Sequence, residues 1–367
     1  LHFNLSFCFL IFNILFTWIE KIKRDSIEKK SKKSGGTNMK AVSLFSGGLD
    51  SILSAKIIQL QKIEVTAFHF VLPFSYIKDE EDIGAVKTAR KLGIPVKIFR
   101  GGRDYIEMVK SPKHGYGKNI NPCIDCKIFM MRKAKIFMEE IGASFLVSGE
   151  VLGQRPMSQR KKAMELIEKE AGIEGLLLRP LSAKLFPPTI PEEKGWIERE
   201  KLYRIEGRNR KPQIALAKKL RLSEYPSPAG GCSLTDHGFS IRLRDALEHN
   251  EDTISELQLL NFGRHFRLKS GAKLIVGRDE EENKTIEDFA GEKDILIEGV
   301  GFGSPIALLK NSKNPEDIDI SSSICVRYSK KRDEKSVKVS VRTKKENITD
   351  KEVVPMNKED VDSLLIH

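Results

Sequence analysis

Two groups of residues in this chain have types and spacing suited to chemistry. The first is Ser46-Gly47-Gly48-Leu49-Asp50-Ser51, which follows an apolar run, Lys40 to Phe45, and leads into a segment with apolar residues at helical spacing, Asp50 to Gln61. A strand that ends in such a hexapeptide and feeds a helix sets successive backbone N–H groups and a helix N-terminus around one anion, and its glycines let the main chain come close. Ser46 and Ser51 add hydroxyl donors. Asp50 is an acceptor and would repel a phosphate unless it holds Mg2+ or orients the loop. No lysine follows at the Walker position, so this is a phosphate loop of another kind. The bland alternative is an ordinary Gly-rich turn, but the full hexapeptide behind a buried strand favours a nucleotide.

The second group is sulfur. Asn121-Pro122-Cys123-Ile124-Asp125-Cys126 opens a helical segment, where a thiolate gains from the helix N-terminus and from Lys127. Cys232 lies far along the chain, at the end of the rigid, Gly-permissive loop that starts at Pro226. Three such thiols suit an iron–sulfur cluster with one iron open, or a catalytic pair that forms a transient disulfide. A structural zinc site wants a fourth ligand, which His237 could supply. Cys8 and Cys325 have no partner pattern. Five cysteines in 367 residues are too few for a disulfide-stapled secreted fold and favour a reducing compartment, so a cytoplasmic location is expected.

The elements that must position these residues alternate between short apolar runs and amphipathic segments, as parallel α/β units do. Strands are expected at Lys40 to Phe45, Glu64 to Val71, Pro95 to Phe99 and Ser144 to Ser148, and helices at Asp50 to Gln61, Glu80 to Leu92 and Cys126 to Ile141. Their sum is an α/β doubly wound parallel sheet, whose ligand belongs at the carboxyl ends of the strands. A charged accessory segment, with a basic helix around Ile214 to Leu220, closes this domain over residues 39–235. A smaller α+β domain is expected over 236–310, with a helix at Ser255 to Leu260 and strands at Phe262 to Leu268, Ala272 to Val276 and Asp294 to Glu298. Residues 311–367 form a basic tail, with a strand at Ser336 to Val341, that belongs either to itself or to the second domain.

Residues 1–38 need separate handling. Leu1 to Ile19 is an apolar run followed by lysines, the pattern of a membrane anchor or leader. The chain begins with Leu, however, and Met39 stands directly before the first well-patterned strand. Codons for Gly35-Gly36 can also spell a ribosome-binding sequence just upstream of it. The segment is therefore read as a start artefact and kept out of the fold, and no membrane is expected as a partner on that reading. The net charge of +12 makes attraction to a polyanion physically reasonable without separating RNA, DNA and anionic membrane.

With these residues in view, Ser46 to Ser51 resembles the PP-loop of the ATP pyrophosphatases, adenine nucleotide alpha hydrolase-like enzymes that transfer AMP to a carbonyl oxygen and release pyrophosphate. Ser148-Gly149-Glu150-Val151-Leu152-Gly153-Gln154-Arg155-Pro156-Met157-Ser158-Gln159 resembles a stretch of the tRNA 4-thiouridine synthetases, and Asn-Pro-Cys-x-x-Cys is similar to the 2-thiouridylase motif. The resemblance implies ATP and Mg2+ at Ser46, Gly47, Gly48, Asp50, Ser51, Gly149 and Gln154. It implies a [4Fe-4S] cluster on Cys123, Cys126 and Cys232, or a catalytic pair of Cys126 and Cys232, with Asp50 in the activation step. The expected function is tRNA uridine thiolation, with tRNA and a sulfide or persulfide donor as partners.

Those synthetases carry an N-terminal RNA-binding THUMP domain, whereas only residues 1–38 precede Met39 here. Leu260 to Arg267 and Gly277-Arg278-Asp279 resemble the RNA-binding domain of the NFACT proteins, so the second domain is expected to take over that role. Arg264, Arg267, Lys269 and Lys273 are expected to track phosphates, and Arg155 to meet RNA at the active site. The rival expectations are a PP-loop amide-forming ligase on a small metabolite with structural zinc, and a nucleotide- and RNA-binding protein without catalysis.

Overall fold

The computed structural model describes residues 39–227 and 231–367. The expectation for residues 1–38 therefore lies outside the described residues, as do Pro228 to Gly230 of the loop before Cys232.

The first half is a parallel sheet. Its elements in chain order are β1 (Lys40–Leu44), α1 (Leu49–Gln59), β2 (Glu64–Val71), α2 (Gly84–Lys91), β3 (Val96–Arg100), α3 (Arg103–Lys110), α4 (Cys123–Glu140), β4 (Phe145–Ser148), α5 (Lys161–Ala171) and β5 (Leu177–Leu178). The five strands lie in the order β3-β2-β1-β4-β5 and all pairs are parallel. The chain runs outward from β1 through β2 to β3, then returns to β4 on the other side of β1. The loops after β1 and β4 thus part at the switch point, where open α/β sheets bind ligands.

Burial explains the helix that leaves this point. Leu49, Ile52, Leu53 and Ile58 of α1 are no more than 1% exposed, and each stabilises the domain by about 1.5–3 kcal/mol. The helix is covered by the sheet and by α7 (Lys211–Lys219), which follows the short α6 (Ile190–Glu193). α7 is the basic helix expected near Ile214.

Two further helices, α8 (His237–Glu248) and α9 (Ile254–Leu259), precede the second sheet. Their Phe239, Leu243, Ala246 and Leu257 share one apolar cluster with Phe74, Tyr105 and Val109 of the first half. The boundary expected at residue 236 therefore falls inside a packed core rather than at a linker. The second sheet follows with β6 (Arg264–Arg267), β7 (Lys273–Val276), α10 (Glu280–Phe289), β8 (Ile295–Gly299), β9 (Ala307–Lys310), α11 (Glu316–Arg327), β10 (Val337–Arg342), β11 (Asn347–Val353) and α12 (Lys358–Leu364). Its six strands run β11-β10-β8-β9-β7-β6 with antiparallel pairing throughout. α11 packs on one face and α9 with α10 on the other. The basic tail is thus built into this sheet, and Cys325 is a core thiol, 0% exposed.

Two of the four cations expected to track phosphates are not available for it. Arg267 is clamped by Asp245 and Glu251, and Lys273, 5% exposed, is ion-paired to the same two carboxylates. This is a correction with a plain cause. β6 and β7 pass under α8 at these positions, so both side chains point at the acids that close the α8–α9 corner. Burial presses the Arg267 pKa down, but the two carboxylates outweigh it and hold the guanidinium above its usual range. Arg264 is half-buried and Lys269 exposed.

Candidate active site

The phosphate loop has the features of an anion cradle. Gly47 has φ +76°, and a Cβ there would lie 2.7 Å from Ala85 Cα, so only glycine fits where the loop crosses α2. Gly48 caps α1 without a side-chain hydrogen bond. The first N–H groups of that helix are left for a ligand. Ser46 and Ser51 face each other at 3.3 Å between their Oγ atoms, and Ser51 donates to the Gly48 carbonyl at 2.8 Å.

β4 closes the cradle from the far side of the switch point. A Cβ on Gly149 would stand 2.6 Å from Ser51 N and 2.7 Å from Asp50 C, so the two backbones touch. Gln154 Nε2 donates to Asp50 Oδ2 at 2.9 Å. Asp50 Oδ1 is buried without a protein partner. An unsatisfied carboxylate oxygen beside a helix N-terminus is costly unless a cation meets it, and the donor chemistry fits Mg2+ accompanying a nucleotide. Arg155 is exposed next to Gln154, without an ion pair among the described residues.

One residue beyond Gly149, a buried ion network links the loop to the cysteines. Glu150, 3% exposed, lies 3.3 Å from Lys127 Nζ and 3.2 Å from Arg179 Nε, and Arg179 also pairs with Glu168. Burial pushes the Glu150 pKa up, but Lys127 and Arg179 outweigh it and hold the carboxyl below its ordinary value. The ammonium expected to serve the Cys126 thiolate is thus shared with Glu150.

Cys126 and Cys232 converge on one wall, and Cys123 opens α4 one turn before Cys126. Tyr105 donates its hydroxyl to Cys126 Sγ at 3.1 Å, and Cys126 and Cys232 pack against the same apolar cluster as the Tyr105 ring. Phe70 and Phe129 flank Tyr105 at 5.3 Å between ring centroids. The Cys232 loop is tied across to the approach of α4 by Asn119 Nδ2, which donates to the Thr235 carbonyl at 2.9 Å. On the near side, Asp125 accepts from the backbone N–H groups of Lys113 and His114, ordering the loop before Cys123. All three thiols are free.

Their ionisation differs from the expectation. Burial pushes Cys126 up to about 12, the Tyr105 hydrogen bond and Lys127 acting against it, and Cys232 is also raised by burial. An apolar wall outweighs a helix N-terminus here. Among the described residues no group of three or more His, Cys, Asp or Glu is drawn together tightly enough to hold a metal ion, and His237 sits exposed at the start of α8. The donor set, three free thiols, matches a three-cysteine ligand set in kind. Tyr105 and the Glu150–Lys127–Arg179 network went unseen in the sequence. No motif marks a tyrosine that acts only through its neighbours in space.

Comparison with known proteins finds likeness in both halves of the chain. Residues 36–184 match the family model described as Thiamine biosynthesis protein (ThiI), and residues 263–365 match the one described as NFACT protein RNA binding domain. A probable tRNA sulfurtransferase of Thermococcus kodakarensis is 29% identical over 147 residues, 40% of this chain and 38% of that protein. A tRNA-specific 2-thiouridylase, MnmA, of Acidithiobacillus ferrooxidans is 33% identical over 116 residues, 30% of this chain and 33% of that protein. The chain thus spans between a third and two-fifths of the length of these relatives. Among solved structures, a 4-thiouridine synthetase in complex with RNA and bound ATP is 25% identical with a TM-score of 0.31, covering 40% of this chain and 37% of that one. The chain carries a ThiI-like PP-loop domain, and its second sheet falls within the residues that match the NFACT RNA-binding model. No helix among the described residues is long and apolar enough to cross a membrane.

Proposed function

We propose that the protein is an ATP-dependent tRNA uridine sulfurtransferase, which adenylates a uracil carbonyl oxygen and then replaces it with sulfur. The observation that carries this reading is the continuity from phosphate loop to thiols. Asp50 lies against Gly149, and the next residue, Glu150, is ion-paired to Lys127 beside Cys126. Two half-reactions can therefore share one crevice.

In the first, backbone N–H groups of Ser46 to Ser51 hold the ATP phosphates, Gln154 orients Asp50, and Asp50 would hold Mg2+ when that ion accompanies the nucleotide. The uracil oxygen attacks the α-phosphorus, and pyrophosphate leaves with the electron pair of the broken P–O bond. In the second, a persulfide sulfur on Cys126 or Cys232 attacks the ring carbon, and AMP departs with the oxygen. The other thiolate then attacks the carrier cysteine, which frees the sulfur on uracil and leaves a Cys126–Cys232 disulfide for an external dithiol to reduce. Cys123, Cys126 and Cys232 are equally the residues that would hold a [4Fe-4S] cluster, which when bound supplies an open iron for inorganic sulfide. The raised thiols of Cys126 and Cys232 leave little free thiolate for the relay, and the three-cysteine donor set favours the cluster. RNA is held by Arg155 at the crevice and by the second domain.

The test is anaerobic purification, a visible absorption spectrum, and nucleoside analysis of tRNA after incubation with ATP and either sulfide or persulfide. A thiouridine formed together with AMP and pyrophosphate is expected. An iron chromophore selects the cluster, and its absence with persulfide-supported turnover selects the relay. Unmodified tRNA under both sulfur supplies, or pyrophosphate release independent of tRNA, would sink the proposal in favour of a ligase.

A further inference from the structure

The reaction above leaves one large cleft unused. It opens on the second domain, with a volume near 720 Å³, between the β6–β7 edge and the turn that follows α11. That volume lies within the roughly 300–1,000 Å³ range of pockets that hold small ligands. Arg264, Asn283, Tyr328 and Lys330 line it, together with the acids Asp279, Glu280 and Asp333.

The Arg264 guanidinium lies 4.5 Å from the centroid of the Tyr328 ring. Tyr328 in turn stands 6.0 Å from Phe266, a core side chain that is 0% exposed. The guanidinium thus covers a ring that itself leans, at an interplanar angle of 46°, on a core side chain of the sheet. Its hydrogen bonding is minimal: a long contact of 3.5 Å from Nη1 to the Gly277 carbonyl, with no ion pair among the described residues. Arg267, three residues on, shows the contrast, being clamped by two acids. Lys330 also lacks an ion-pair partner among the described residues, while its backbone N–H donates to the Gly303 carbonyl at 3.2 Å and its stem lies against Gly303. Asn283 uses Oδ1 to accept from Ile306 N at 3.0 Å, which leaves its amide N–H groups for another acceptor.

A flat cation seated over an aromatic ring, with a carboxamide and an ammonium lining the same cleft, is an arrangement suited to an unstacked base and its phosphate. A peptide partner would call for apolar anchors, which this lining does not offer. We propose that the cleft holds one unpaired nucleotide of looped RNA, its base on the Arg264 guanidinium above Tyr328 and its phosphate at Lys330. This deepens the reading of the protein as an enzyme acting on tRNA and rests on it. It also revises the role of Arg264, from tracking phosphates to bearing a base.

The experiment measures binding of the full chain to an RNA hairpin, with 2-aminopurine in its loop, and to a blunt RNA duplex of matched length. Wild-type protein is expected to prefer the hairpin and to quench the loop fluorophore. Arg264→Lys keeps the charge and loses the flat face. It is expected to lose hairpin affinity roughly 5- to 100-fold with little change on duplex and an unaltered salt slope. Lys330→Gln is expected to lower the salt slope by about 1. Circular dichroism and thermal melting of each variant guard against a folding artefact. Wild-type hairpin affinity and quenching in Arg264→Lys would overturn the cleft proposal while leaving the tRNA reading intact. Equal loss on hairpin and duplex would also overturn it. Failure of the wild-type chain to bind either RNA would overturn both.

Discussion

Replacing Gly149 with alanine is the most direct test of the phosphate cradle. The added Cβ would meet Ser51 N at 2.6 Å, Asp50 C at 2.7 Å and Asp50 O at 2.8 Å. All three are backbone atoms, so no rotamer change relieves the clash. To regain ordinary carbon contact distances the β4 end and the α1 N-terminus must separate by roughly 1 Å. Overpacking of this kind costs about 1–3 kcal/mol. Here the strain falls on the N–H groups that must point at phosphate, and the ligand has to restore their geometry on binding. Loss of ATP affinity of about 5- to 150-fold follows if that cost is drawn from binding. The assay is calorimetric ATP binding in the presence of Mg2+, with circular dichroism to confirm that the fold persists. Gly84→Ala is the control, since a Cβ there meets nothing within 4 Å and φ is ordinary. Gly149→Ala binding ATP within twofold of wild type, with an unchanged melting temperature, would refute the cradle.

Asp50→Asn removes the anionic oxygen that lacks a protein partner, so ATP binding should lose its dependence on Mg2+, read by titration with and without the metal. Tyr105→Phe keeps the ring and removes the donor to Cys126, so the thiol should titrate still further above about 12. Peptide-resolved alkylation of reduced, chelator-treated protein at alkaline pH should slow at Cys126 by roughly tenfold, and an unchanged rate would remove Tyr105 from the site. Glu150→Gln leaves Lys127 and Arg179 undercompensated and should destabilise the first domain by about 3 kcal/mol or more in chemical denaturation. Because the Glu150 pKa is lowered on folding, its contribution is full above the ordinary value of 4.5 and is lost as pH falls through the folded value. The gap between wild type and variant should therefore close in acid. Arg267→Ala should lower the melting temperature and leave RNA affinity unchanged in the folded protein, because its charge is consumed by Asp245 and Glu251.

The first domain was legible because its signals are local. A buried strand, a Gly-Gly turn and a periodic helix follow one another within Lys40 to Gln59, and the same logic recovers β2, β3 and β4 within a residue or two at each end. The corner built by α8 and α9 was not, since Phe239 and Leu243 announce a helix but not that it packs on Tyr105 across more than a hundred residues. Basic residues misled for a related reason. Arg264 and Arg267 look alike in sequence, yet they lie three apart on a strand, so their side chains leave opposite faces of the sheet. One meets a ring at the cleft and the other meets two acids. The thiol pKa values depend on a wall of rings gathered from β2, α3 and α4, which no single segment displays.

The corner that holds Cys232 also has a mechanical side. Asn119 fastens Thr235 just after the cysteine, and Arg103 and Lys110 fasten Asp252 just after α8. Between these two moorings α8 joins the cysteine loop to the second sheet through packed and ion-paired contacts rather than a free linker. Inserting a flexible spacer after Thr235 would therefore uncouple the two ends, while the same spacer in the β10–β11 turn would leave them joined.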